Sequence, residues 1–106
     1  MGGFPMNAEY LEEHILEELN GACDYIKKAI ELKAMDPAMS KTFADMSAAE
    51  LSHATNLHKM FGEYYAKVVG PYREAPEYLV KIKDYLGKHF PKESAKILLM
   101  HEMYKK

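Results

Sequence analysis

Cysteine is almost missing from this chain. Cys23 is the single thiol in 106 residues, so no disulfide can form within it. A lone cysteine suits a reducing compartment. Excess positive charge is missing too. The 14 Lys and Arg stand against 16 Asp and Glu, for a net charge of −2 with histidine neutral, and no basic block stands out. The sequence-independent attraction to nucleic acid phosphates has no source in such a chain. No apolar run is long enough to span a bilayer, and no apolar signal segment follows the opening MGGFP. The expectation is a cytoplasmic protein without nucleic-acid or membrane partners. Internal repeats, low-complexity segments and strand patterns are absent as well.

What is present is helical periodicity. The opening residues, 1–6, hold two Gly and a Pro and read as a loose tail. Asn7 is a suitable N-cap, and Glu9, Glu12 and Glu13 suit the positive end of a helix dipole. Leu11, Ile15, Leu19, Ala22, Ile26, Ala29 and Ile30 then recur at steps of three and four, giving a helix over 8–35. Asp36-Pro37 is a break and a restart, since Asp caps and Pro is tolerated at the first helical position. The second helix spans 37–69 and ends at Gly70-Pro71. At 1.5 Å per residue the two are roughly 40 and 50 Å long, and the short link makes them an antiparallel hairpin. Over 76–104 the prolines divide the pattern into two short helices. One starts at Pro76 and carries Tyr78, Leu79, Ile82, Tyr85 and Leu86; the other starts at Pro91 and carries Ala95, Leu98, Leu99 and Met103.

The fold class expected is therefore all-α, a long antiparallel hairpin plus two short C-terminal helices, in a single domain. A hairpin buries one seam and leaves apolar surface to cover. Either a second copy completes a four-helix bundle by two-fold pairing, or the short helices cover part of the hairpin. Tyr64, Tyr65, Tyr72, Tyr78 and Tyr85 crowd the C-terminal half and suit burial against a partner chain.

The stretch AELSHATNL, residues 49–57, places Glu50 and His53 three apart on the apolar stripe. Counting about 100° per residue, Met39, Phe43, Met46, His53, Ala54, Leu57, Phe61, Tyr64 and Val68 fall within about 60° of Glu50. On the first helix Glu18 lies inside the stripe, whereas Glu12, Glu13 and Glu17 lie about 100° or more away and read as solvated. The levels agree. Glu18 is roughly 27 Å before the turn, and Glu50 and His53 are roughly 21 and 26 Å after it. Two carboxylates and an imidazole in an apolar setting repel or neutralise unless a cation binds them. Iron, manganese and zinc suit that donor set. Doubled by a two-fold axis, the set becomes four carboxylates and two imidazoles, enough for two metal ions.

Glu18 with Tyr25 seven residues on, then Glu50-Leu51-Ser52-His53-Ala54, resembles the first half of the metal-binding pattern of ferritins and rubrerythrins. Ferritin-like chains usually carry two such halves; here one is present, with no second Glu-x-x-His. In this the chain looks most like encapsulated ferritins, whose short hairpins pair to build a ferroxidase centre between subunits. Over residues 8–69 the resemblance implies a ferritin-like four-helix bundle formed by a homodimer or higher oligomer. It implies a di-iron centre with Glu18 as terminal ligand, Glu50 as bridging ligand and His53 as terminal imidazole, with Tyr25 donating a hydrogen bond from the second shell. The activity implied is a ferroxidase-like oxidation of iron(II).

Other readings stand beside this one. The module is otherwise a metal-free helical surface for another protein, or a helical dimer whose metal is structural, or whose metal is manganese or zinc. Tyr25 suits simple packing equally well. His14, one turn before Glu18, is an extra ligand or a half-exposed histidine outside the family pattern. His58, His89 and His101 read as surface, Cys23 as an inert packing thiol, and Met46 as lining the site without ligating.

Overall fold

The computed structural model describes residues 3–70 and 74–106, with side chains described from residue 8 onward. Three helices follow one another: α1 (Gly3–Leu32), α2 (Pro37–Val69) and α3 (Glu77–Lys105). Among the described residues there is no strand, and no helix is long and apolar enough to cross a membrane.

The turn between α1 and α2 follows from local chemistry. The Asp36 side chain accepts from the Met39 N–H at 3.1 Å, and Pro37 takes the first helical position, where no donor is needed. Gly70 closes α2 with a φ of 63°, its N–H returning to the Ala66 carbonyl. That left-handed conformation is open to glycine and strained for residues with a Cβ. Pro71 and Tyr72 lie outside the described residues.

The start of α1 differs from the sequence reading. The helix begins at Gly3, so Asn7 lies inside it, and the stretch read as a tail is helical from Gly3 on. Pro5 does not prevent this, because the first N–H groups of a helix have no intrahelical acceptor.

α1 and α2 pack closely along a seam of small residues. Ala8, Ile15, Ala22 and Ala29 recur every seven residues on α1, and Ser40, Ser47, Ala54 and Phe61 do so on α2; all are buried. Seven residues are two turns, so each set holds one line along its helix. Alanine and serine let the backbones approach until side chains reach across. Ser47 Oγ donates to the Ala22 carbonyl at 2.6 Å, and Ser40 Oγ donates to the Ala29 carbonyl. Leu11, Leu19 and Ile26 fill the seam between these small residues.

α3 corrects the expectation of two short helices. It is one 29-residue helix with Pro91 inside it. An interior proline removes a backbone hydrogen bond and costs about 3 kcal/mol. The helix continues because both halves are docked: Leu79 and Leu86 are fully buried before the proline and Ile97 after it. Each fully buried side chain of this kind contributes about 1.5–3 kcal/mol, enough together to offset the break. α3 packs mainly on α1 and touches α2 more sparingly. It runs antiparallel to α2, as the pairings Lys83 with Tyr65, Phe90 with His58 and His101 with Ser47 show. Its end meets the end of α1, where Lys33 lies over the Tyr104 ring. Cys23, which sits off the main stripe, is buried.

Two histidines read as surface are half-buried between α2 and α3. His58 stacks on Phe90 at 4.3 Å, and His101 Nε2 lies 2.9 Å from Ser47 Oγ. Burial pushes the pKa of both down; for His101 Lys105 adds to the drop and Glu102 opposes it. A histidine whose folded pKa is depressed binds its proton more readily when unfolded. The stability it contributes is therefore complete above about pH 6.5 and falls as pH drops through that value. Thermal melts of chelator-treated protein should show a lower midpoint at pH 5 than at pH 7.5. The drop should be smaller in His101→Gln.

Candidate metal centre

Rigid helices, paired by the serine seam, carry the polar cluster. Glu18 projects from α1; Glu50 and His53, one turn apart, project from α2. His53 Nδ1 lies 3.6 Å from Glu50 Oε1 and 3.8 Å from Glu18 Oε2. One ligand atom from each of the three residues lies within 4.8 Å of the others. Two donors each about 2.0–2.2 Å from one ion stand roughly 3–4.4 Å apart. Both His53 distances fall within that range, so His53 and either carboxylate fit a common cation, with the third donor no more than 4.8 Å from each.

The electrostatics ask for a positive charge. Glu18 Oε2 is buried without a hydrogen-bond partner. The Glu18 pKa is raised above its ordinary value. The chief cause is Glu50, since a proton shared between the two carboxyls stabilises the neutral acid; burial and the Glu50 charge add to the rise, and His53 and His14 oppose it. A divalent ion in place of that proton would satisfy both carboxylates and the lone Oε2 atom.

His14 lies at the edge of this cluster. Its ring packs on Tyr10 at 4.1 Å. The two line a shallow cleft of about 340 Å³ with Glu18, His53, Asn56 and Leu57. Tyr25 is placed differently. Its ring packs on Phe43 at 5.9 Å, and its hydroxyl makes no hydrogen bond to the buried Glu18 Oε2.

Gly21 is a residue that the sequence reading passed over. A Cβ added there would lie 2.8 Å from Glu50 Oε2. The available signal was a glycine within α1, where it costs up to about 1 kcal/mol relative to alanine, three residues from Glu18.

The cluster faces outward. The His53 side chain is 56% exposed, against 22% for Glu18 and 29% for Glu50. Tyr10, on the same cleft, is exposed, and so are Met46 and Met60, two turns to either side of His53 on α2. By helical angle these two methionines lie within about 20° of His53. The acidic and imidazole groups thus lie on a hairpin face that also exposes apolar side chains.

No protein-family model, curated protein or solved structure matches the chain.

Proposed function

We propose that the chain is a di-iron oxidoreductase of the ferroxidase type, with its centre shared between two copies. The observation that carries this reading is the meeting of Glu18, Glu50 and His53 around a buried carboxylate oxygen that has no hydrogen-bond partner. Hard carboxylate oxygens with one imidazole suit iron, manganese and zinc alike, and iron is the choice that the resemblance to ferritins implies. The exposed methionines and Tyr10 around the cluster give a second copy an apolar surface to bury. Two-fold pairing there would bring together four carboxylates and two imidazoles, the donor set of a dinuclear carboxylate site. The lone thiol fits a reducing, cytoplasmic setting.

In this reading iron(II) is the substrate, and its electrons pass to oxygen or peroxide. Glu18 and Glu50 neutralise the incoming cations, and Glu50 holds a pair of them close together. His53 adds a neutral donor. Dimer burial dries the site and strengthens each of these interactions. His14, at the lip of the cleft, lies on a route from solvent to Glu18.

The test is the rate of iron(II) oxidation in air with and without protein, followed by absorbance. The expected result is faster oxidation with protein, lost in Glu18→Ala. Equal rates would reject the ferroxidase activity. If metal were still retained, a structural site would remain.

A second reading, a helical interaction module, has its own support. An open groove between α2 and α3 is lined by Leu51, Ala95, Leu98 and Leu99, and the last two are more than half exposed. This reading expects no metal retention and no loss of function in Glu18→Ala.

A further inference from the structure

Gly21 lies on α1, one turn beyond Glu18, against the carboxylate that α2 sends across. An added Cβ would sit 2.8 Å from Glu50 Oε2 and 3.7 Å from Glu50 Cδ and Cγ. A separation of 2.8 Å is too short for a carbon–oxygen contact, so one partner must move. The backbones are held by the Ser47–Ala22 hydrogen bond, next to this level, and by the Ser40–Ala29 hydrogen bond two turns further toward the α1–α2 turn. The Glu50 carboxylate is the free end of a flexible, partly exposed side chain. It is the group that would yield.

We propose that Gly21 is a positioning residue for the metal centre: its bare backbone is the surface on which the Glu50 carboxylate lies, within reach of Glu18 and His53. The inference rests on the metal-site reading above and deepens it. It makes the absent side chain a requirement of the site, in a helix that alanine would otherwise favour.

Two other helical glycines supply the control. Gly62 on α2 and Gly87 on α3 have no atom within 4 Å of an added Cβ. Alanine at any of the three improves helix propensity and restricts the unfolded chain. Only at Gly21 does it displace a ligand.

The experiment compares wild type, Gly21→Ala, Gly62→Ala and Glu50→Ala, each as the full chain. Cobalt(II) is titrated into each, followed by its visible absorption, and each is melted without metal. Gly21→Ala should melt at or above the wild-type temperature and bind cobalt about 10–100-fold more weakly, the range for loss of support to a metal ligand. Gly62→Ala should melt likewise and bind as wild type does. Wild-type cobalt affinity in Gly21→Ala, with affinity lost in Glu50→Ala, would overturn the inference and leave the metal site intact. A lower melting temperature for Gly21→Ala would also overturn it, because the backbones rather than Glu50 would then have yielded. No difference in cobalt binding among all four proteins would overturn both the inference and the metal-site reading.

Discussion

Glu50→Ala should lower metal affinity by about a thousandfold, roughly 4 kcal/mol, without destabilising the metal-free protein. The two effects have separate origins. Glu50 brings one of the three converging donors, and in a shared centre each copy loses a bridging ligand. Without metal, Glu50 is a burden on Glu18, whose pKa it raises. Its removal relieves repulsion between partly buried carboxylates, and alanine is the best helix former. Metal-free melting should therefore stay level or rise by the equivalent of about 0.5–1 kcal/mol. Glu18→Gln should behave similarly, keeping shape while removing charge. A metal titration beside a chelator-treated melt checks both. A large loss of stability in the metal-free variants would mean that these carboxylates are structural.

The second large effect is at the seam. Ser47→Leu should destabilise the fold by about 2–6 kcal/mol, from overpacking at about 1–3 and loss of a buried hydrogen-bond partner at about 1–3. Ser47 is fully buried, donates to the Ala22 carbonyl and meets His101 Nε2. One residue thus ties α2 to both other helices, where a leucine side chain has no space. The penalty approaches the whole stability of a small domain. Ser47→Ala keeps the close approach and should cost only about 1 kcal/mol. Chemical denaturation separates the two variants. Any folded Ser47→Leu should also bind metal poorly, since Ser47 lies one turn before Glu50 and sets the distance across which the carboxylates meet.

The legible and illegible parts of this structure divide along a physical line. The break at Asp36-Pro37 and the stop at Gly70 are written in local backbone chemistry, and they are read from a few residues. The meeting of Glu18, Glu50 and His53 was legible because helices are stiff: rise and angle per residue carry a side chain's position over 30 Å with little error. Pro91 misled, because the local rule that proline ends a helix gave way to the docking of Leu79, Leu86 and Ile97 on the hairpin. Ser40, Ser47, His58 and His101 look like surface residues in sequence. Their burial depends on how closely α1 and α2 approach and on where α3 lies, and neither is a local property. Gly21 was hidden for the same reason: its meaning lies in the atom opposite it on α2.

The central claim is that three side chains on one hairpin form half of a metal centre that a second copy completes. Native mass spectrometry of the full chain titrated anaerobically with iron(II) tests it most directly. The account predicts a two-chain species carrying two iron ions, with the iron lost in Glu50→Ala. A single chain that stays free of iron across the titration would contradict it.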